Sequence, residues 1–215
     1  MKGSLLYNRI HKTPKEDIPL KILFVDACPR SRDISRSYKL GRAFMDEYLC
    51  LHPDAEVIEY RLDDMDIRPL TGNAEKARSE MSIAAKLTDP AFQPARDFAA
   101  ADKIIVCAPY WDYAFPACLK AFIESICVYG ITFRYENDLP VGMCRAEDLV
   151  YLTTAGSPIG EDNWGGDYLK AVTRKLLGVK NFHQVSADGL DLSGADPDSL
   201  VAEAVCRAKA LAGRL

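Results

Sequence analysis

The chain has 215 residues, of which 48% are hydrophobic and 27% are charged. That length and composition allow one domain with a sizeable core, and they are too small for two full-sized domains. The formal net charge of -4 gives no sign of a basic surface, so we expect the chain to bind neither nucleic acid nor an anionic membrane. No apolar stretch approaches the length of a membrane-spanning helix.

The N-terminal segment and the cysteines indicate the domain boundary and the cellular compartment. Residues 1–19 lack periodicity and an apolar signal region, so we expect an N-terminal arm in front of a domain at 20–215. The seven cysteines are an odd number, form no C-x-x-C pair and mostly fall within apolar patterns. They predict small buried thiols in a reducing cytoplasm rather than disulfides. With only three histidines, we also expect no metal site.

The first half of the domain alternates strands with helices. Residues 20–27 form an apolar run of strand length, and a helix is predicted to begin near Ser35. The positions of that helix expected to face inward are Leu40, Phe44, Tyr48 and Leu51. Glu56–Leu62 alternates like a second strand and is followed by a weaker helix at Ala74–Leu87. Asp89 and Pro90 then provide the cap and first turn of another helix.

The stretch from Ile104 to Tyr135 is predicted to run from a buried strand through an aromatic loop into an apolar-faced helix. Pro116 suits the first helical position because its missing N–H would be unpaired there. Gly130 suits a left-handed C-cap of that helix.

The last third continues the alternation. A polar connection is expected at 136–147, a strand at 148–154, a helix at 167–177 ending at Gly178, and a strand at 183–187. A closing helix begins at Asp196 and Pro197. Strands that alternate with helices favour an α/β fold in which a parallel sheet is covered on both faces.

Three loops follow strands of this sheet and can open on one rim, where doubly wound folds bind their ligands. The first carries Ser35, Arg36 and Ser37 at a helix N-terminus, which suits a phosphate group. The second, residues 109–113, carries three large aromatic side chains that suit a flat ring. The third, residues 154–157, has small side chains that allow a ring to approach the backbone.

Purely structural roles are the alternative to ligand binding for these residues. Ser35 is equally consistent with simple helix capping, and the aromatic residues with a cap on the core or a subunit contact. The chain lacks G-x-G-x-x-G and G-x-x-x-x-G-K-[ST], which argues against a dinucleotide fingerprint and a nucleoside triphosphatase. A phosphate site without glycines that faces an aromatic loop suits flavin mononucleotide better than NAD or ATP.

A cysteine phosphatase is a minor alternative. Cys28 follows the first strand, and an Arg-Ser pair stands at the next helix start, as in phosphotyrosine phosphatases of low molecular weight. Those enzymes need five residues between cysteine and arginine, whereas seven separate Cys28 from Arg36 here.

Three stretches carry a family resemblance: KILFVDACPRSRDISRSYKLG, APYWDYAFPACLKAFIESICVYGITFRY and LTTAGSPIG. They resemble segments of the flavodoxin-like NAD(P)H dehydrogenase (quinone) family, most closely those of FMN-dependent NADH azoreductases. The resemblance implies a flavodoxin-like three-layer sandwich with a five-stranded parallel sheet. It also implies a homodimer with FMN near the interface. Such an enzyme takes two electrons from NADH or NADPH and passes them, in a ping-pong order, to quinone, azo or related aromatic acceptors.

The resemblance also implies roles for individual residues, although it assigns no catalytic side chain. Ser35, Arg36 and Ser37 match the phosphate-binding segment, and Phe133 and Tyr135 match a segment near the acceptor pocket. The remaining positions expected to bind the cofactor are Cys28, Pro109, Tyr110, Trp111, Asp112, Tyr113, Thr154, Ala155, Gly156 and Ser157.

The chain departs from the family pattern at three of these positions. Asp112 stands where asparagine is usual, Ser157 replaces a glycine, and Cys28 stands where a hydroxyl side chain is common. A carboxylate at position 112 is expected to disfavour an anionic reduced flavin and so to lower its potential. The alternative to an enzyme is a flavodoxin-like electron carrier or redox-responsive FMN-binding module.

Overall fold

A computed structural model describes residues 19–84 and 86–215, so the predicted arm at 1–19 lies outside the described residues except for Pro19. The strands are β1 (Lys21–Asp26), β2 (Glu56–Arg61), β3 (Lys103–Pro109), β4 (Phe133–Glu136), β5 (Leu139–Gly142), β6 (Asp148–Thr154) and β7 (Asn181–Ala187). Five of them form one parallel sheet in the order β2-β1-β3-β6-β7. The predicted five-stranded parallel sheet is confirmed.

Helices cover both faces of this sheet. They are α1 (Arg36–Leu51), α2 (Gly72–Ile83), α3 (Gln93–Ala100), α4 (Ala117–Ile126), α5 (Trp164–Val172) and α6 (Pro197–Ala212). One core contains side chains of α3, α4 and α5 against Leu23, Ile104 and Tyr151 of the sheet. The other contains those of α1 and α6 against Phe24 and Ile105. Successive strand residues therefore point into opposite cores, which explains why β1, β3 and β6 are continuously apolar.

Polar caps fix the starts of the helices beside the sheet. Ser35 caps α1, its hydroxyl accepting from Tyr38 N at 3.2 Å, and Asp196 caps α6 by accepting from Ser199 N at 3.3 Å. Both predicted starts are confirmed. Leu40, Phe44 and Tyr48 are buried as expected.

Two predictions at helix ends are wrong. Leu51 is exposed, because His52 rather than Leu51 packs on the Tyr48 ring, with their centroids 4.5 Å apart. Pro116 is the N-cap residue of α4 and not its first helical residue, since its ψ of 147° is extended.

The predicted C-cap of α4 is also misplaced. The helix ends at Ile126 because the Thr132 hydroxyl donates to the Ile126 carbonyl at 2.7 Å and accepts from Val128 N at 3.0 Å. Gly130 is left-handed, with φ of +83°, but it lies in the turn beyond that cap.

The predicted polar connection at 136–147 contains a β-hairpin instead. Strands β4 and β5 pair antiparallel around Asn137 and Asp138, whose φ values of 50° and 63° are both left-handed. Such a two-residue turn matches the twist of a hairpin, and asparagine and aspartate tolerate it. Gly142 allows the hairpin to pack closely on the turn at Gly178, because a Cβ at position 142 would lie 2.1 Å from Gly178 N.

Other boundaries shift by a few residues. Asn163 caps α5, so this helix begins three residues before the predicted Asp167, and a π-helical turn at Thr173–Leu177 extends it to the left-handed Gly178. Asp89 caps a short 3-10 turn that leads into α3. Helix α2 ends at Ile83, before the predicted Leu87. Within 19–84 and 86–215, no helix has the length and apolarity needed to cross a bilayer.

Candidate functional site

The loops at the carboxyl ends of β1, β3 and β6 enclose a cavity of about 560 Å³, a size typical of small-molecule sites. Every residue predicted to bind the cofactor lines it: Cys28, Ser35, Arg36, Ser37, Pro109, Tyr110, Trp111, Asp112, Tyr113, Thr154, Ala155, Gly156 and Ser157. The structure thus brings the three predicted loops together. It adds lining residues that sequence reasoning missed: Pro29, Arg30, Pro158, Leu190 and Asp191.

A buried carboxylate holds the first loop. Asp26, the last residue of β1, accepts from Cys28 N at 3.1 Å and from Arg32 Nε at 3.0 Å. The Arg32 guanidinium also pairs with Glu59 and lies 4.6 Å from the centroid of the Tyr38 ring. These contacts fix the course of the chain from β1 to the start of α1.

The start of α1 offers donors to an anion. The backbone N–H groups of Arg36 and Ser37 have no hydrogen-bond partner among the described residues. The Ser35 hydroxyl accepts from Tyr38 N and keeps its own proton. Ser37 Oγ lies 2.6 Å from Thr154 Oγ1, and whichever hydroxyl accepts in that pair still has a proton to donate. Together with the Arg36 guanidinium, this donor set suits a phosphate group.

The aromatic loop is a tight turn with unusual backbone angles. Trp111 and Ala114 exchange backbone hydrogen bonds of 3.3 and 2.8 Å around Asp112 and Tyr113, whose φ values are 51° and 64°. Aspartate and asparagine tolerate this left-handed region better than most residues, which explains structurally why an aspartate can stand at position 112. The Tyr113 ring lies 5.6 Å from the Trp164 ring of α5.

Tyr110 ties the aromatic loop to the chain that precedes α5. Its hydroxyl donates to the Asp162 carbonyl at 2.5 Å, and its backbone N donates to the Thr154 carbonyl at 2.9 Å. Desolvation, then the charge of Asp162, raise the pKa of Tyr110 above its usual value. The phenol therefore stays neutral at physiological pH.

The third loop lies against the segment after β7. Leu190 N donates to the Ala155 carbonyl at 3.1 Å, and Asp191 N donates to the Gly156 carbonyl at 2.9 Å. A Cβ at Gly156 would lie 2.3 Å from Asp191 Oδ2, so glycine allows this close approach. The predicted fifth parallel strand is the signal that could have placed Leu190 and Asp191 near the cavity, because that strand also ends at this rim.

Phe133 and Tyr135, predicted near the acceptor pocket, do not line the cavity. They lie on β4, where their rings form a cluster with Tyr129 at centroid distances of 5.7 to 6.3 Å. Tyr129 and Tyr135 are about half exposed. A role in acceptor binding stays a prediction for this hairpin.

The cavity-lining Cys28 has a second thiol behind it, that of the fully buried Cys107, which is not part of the cavity lining. Cys28 Sγ lies 3.9 Å from Cys107 Sγ and 3.5 Å from the Cys107 carbonyl oxygen. Burial, and then the neighbouring Cys28, raise the pKa of the Cys107 thiol, which stays protonated. Arg36 instead lies 3.3 Å from Asp191, and among residues 19–84 and 86–215 no arginine is hydrogen-bonded to the Cys28 sulfur as the phosphatase alternative requires.

Solved structures share this fold over most of the chain. An azoreductase from Bacillus anthracis str. Sterne aligns with a TM-score of 0.81 at 23% identity, covering 91% of this chain and 100% of that one. An FMN-dependent NADH-azoreductase from Bacillus anthracis str. Ames Ancestor, solved in complex with FMN, aligns with a TM-score of 0.79 at 21% identity, covering 91% and 98%. At these identities the likeness shows the fold.

Sequence relatives are closer in identity. The FMN-dependent NADH:quinone oxidoreductase 2 of Clostridium acetobutylicum is 32% identical over 194 residues, covering 88% of this chain and 96% of the relative. The FMN-dependent NADH:quinone oxidoreductase of Clostridium beijerinckii is 31% identical over 191 residues, with the same coverage. A family model described as "Flavodoxin-like fold" matches residues 20–212. The chain therefore belongs to the flavodoxin-like fold family, as its sequence resemblance predicted.

Proposed function

We propose that the chain is an FMN-dependent oxidoreductase that passes two electrons from NADH or NADPH to quinones, azo compounds and related small aromatic acceptors. The observation that carries the proposal is the cavity in which an anion site at Arg36 and Ser37 faces an aromatic loop across a floor of small residues. Relatives that match nearly the whole domain are named FMN-dependent NADH:quinone oxidoreductases, which supports the same activity.

The residues present fit FMN. Free N–H groups at the start of α1, the Arg36 guanidinium, the Ser35 hydroxyl and the free proton of the Ser37–Thr154 pair would hold its phosphate. The turn at 109–113 and the backbone of Ala155 and Gly156 would flank its ring. Small side chains at the third loop leave the backbone amides accessible to a flat ligand.

Bound FMN supplies the hydride and electron chemistry of the reaction. The chain would bind and orient it: Arg36 would donate to the phosphate, and the tight turn at Trp111–Ala114 keeps the aromatic loop in one conformation. The neutral Tyr110 hydroxyl is committed to the Asp162 carbonyl and therefore holds the loop rather than moving protons. Donor and acceptor use the same opening in turn, which gives ping-pong kinetics.

A homodimer in the cytoplasm is part of the proposal. Trp111, Tyr113, Tyr129, Tyr135 and Leu139 expose between 40% and 67% of their surface, and they lie on the aromatic loop, the hairpin and the turn before it. A second copy packed over them would bury these side chains and complete a pocket for aromatic acceptors. All seven cysteines are free thiols, which supports a reducing compartment.

The test is reconstitution followed by a turnover assay. Purified protein mixed with FMN and passed through a desalting column is expected to keep about one flavin per chain. It should then oxidise NADH or NADPH rapidly only when a quinone or azo dye is present. A protein that stays colourless contradicts the proposal. Protein that binds FMN but turns over neither nicotinamide is the electron carrier instead.

Trp111→Ala is expected to change the flavin absorbance spectrum and to lower turnover severalfold, with a change in unfolding free energy below about 0.5 kcal/mol. Trp111 is 40% exposed on the rim and contributes little to either core. The measurement compares the visible spectrum, steady-state kinetics and urea unfolding of the variant with those of Leu51→Ala, which truncates another exposed apolar side chain, at the end of α1 and outside the cavity lining. Equal effects of the two substitutions would contradict the placement of Trp111 beside the ring.

A further inference from the structure

The phosphate end of the cavity contains a carboxylate that no part of the proposed function requires. Asp191 lies in the loop between β7 and α6 and lines the cavity beside the donors of α1. Its Oδ1 is 3.3 Å from Arg36 Nη1, although the two residues are 155 positions apart. The acid is therefore paired with the one guanidinium among the donors assigned to the cofactor.

The position of Asp191 is fixed by its backbone rather than by the ion pair. Its N–H donates to the Gly156 carbonyl at 2.9 Å, and the preceding Leu190 is buried and donates to Ala155. The absence of a Cβ at Gly156 lets Oδ2 approach that residue. A substitution that removes the charge therefore leaves the loop in place, because these contacts use main-chain atoms.

The charges of Arg36 and Asp191 offset each other while the pair is intact. A phosphate group carries close to two negative charges at neutral pH, and a carboxylate a few ångströms away repels it. Arg36 can still donate hydrogen bonds while paired, but its positive charge is already offset by Asp191. Binding of the phosphate therefore has to pull Arg36 away from Asp191 or accept an uncompensated negative charge.

We propose that Asp191 is a specificity-determining residue of the cofactor site. It lowers the affinity for a phosphorylated flavin because it competes with the phosphate for Arg36. This inference rests on the proposed function, since it requires FMN as the cofactor. Its consequence is a chain that releases FMN more readily than its donor set alone would allow. It also discriminates less between FMN and riboflavin than a site with an unpaired arginine.

The test compares Asp191→Asn with the unmodified chain by dilution of full-length protein loaded with FMN or with riboflavin. Fluorescence of the released flavin gives each dissociation constant. Asp191→Asn is expected to lower the constant for FMN about five- to tenfold and to leave that for riboflavin unchanged. Raising the salt from about 0.05 M to about 0.5 M should shrink the FMN difference, because screening weakens exposed charges.

Two further variants separate charge from shape. Asp191→Glu keeps the carboxylate and is expected to behave like the unmodified chain. Glu203→Gln removes one exposed negative charge on α6, outside the cavity lining, and should change neither constant. Equal or weaker FMN binding by Asp191→Asn overturns the inference while leaving the proposed function standing. Equal tightening for riboflavin also overturns it, and failure of the unmodified chain to bind FMN overturns both.

Discussion

Arg36→Glu is expected to raise the dissociation constant for FMN by about 10- to 150-fold, which corresponds to the roughly 1.5–3 kcal/mol of a charge-assisted hydrogen bond. The arginine is the cationic member of the donor set at the start of α1, and its side chain is 41% exposed. Glutamate in its place removes that donor and puts a carboxylate beside the phosphate, next to Asp191. Because the side chain is partly exposed and belongs to neither core, the fold should tolerate the change.

Retention of flavin on a desalting column and a fluorescence titration measure this effect. Riboflavin, which lacks the phosphate, should bind the variant and the unmodified chain with similar affinity. Lys175→Glu is the matched control, because it reverses an exposed charge near the end of α5 that lies outside the cavity lining. Unchanged FMN content in Arg36→Glu would remove the phosphate assignment and, with it, the proposed orientation of the cofactor.

The parts of the site that could be predicted share one physical cause. β1, β3 and β6 are buried on both faces, so their sequences are continuous apolar runs that reveal where each strand ends. Parallel strands all end at the same rim, so Ser35, Trp111 and Gly156 could be placed together without knowledge of any contact. Resemblance to a known family supported the same three loops.

The parts that were missed depend on contacts between distant residues. The parallel strand β7 brings the following loop to this rim, but the hydrogen bonds of that loop to Ala155 and Gly156, which place Asp191 in the lining, are encoded by no local pattern. The end of α4 was misplaced for a similar reason, since a hydroxyl on Thr132 terminates the helix from the far side of a turn. The hairpin is different, because the Asn137-Asp138 turn is a local signal in the sequence, although the polar pattern at 136–147 by itself predicts only a connection.

The opposite rim of the sheet contains a charged cluster around Asp148 that concerns the stability of the fold. At the start of β6, the largely buried Asp148 accepts from Asn181 Nδ2 at 3.0 Å, lies 2.9 Å from His183 Nε2 and pairs with Lys103 Nζ. These contacts join the first residues of β3, β6 and β7. The cluster lies at the amino ends of the strands, whereas the cavity lies at their carboxyl ends, so the two can be tested separately.

Asp148→Asn is expected to lower the free energy of unfolding by about 3 kcal/mol at pH 7, because it leaves the largely buried Lys103 ammonium without its counter-charge. Burial alone would raise the pKa of Asp148, but hydrogen bonds from Lys103 and His183 outweigh it and hold the pKa below its usual value. A carboxyl group whose pKa is lower in the folded state stabilises the fold above its unfolded value. That contribution begins to fall as the pH drops through about 4 and is lost only below the lowered folded-state pKa, so the gap between the two proteins should narrow steadily in acid.

Urea unfolding of both proteins between about pH 3 and pH 7 measures this difference. Asp46→Asn is the matched control, since it breaks an exposed ion pair with Arg42 on α1 and should cost no more than about 0.5 kcal/mol. FMN affinity should be unchanged in the Asp148 variant wherever it is folded, because its contacts lie at the far rim. A gap of less than about 1 kcal/mol at pH 7, or one that does not narrow between about pH 5 and pH 3, would show that the Asp148 carboxylate does not hold the three strands together.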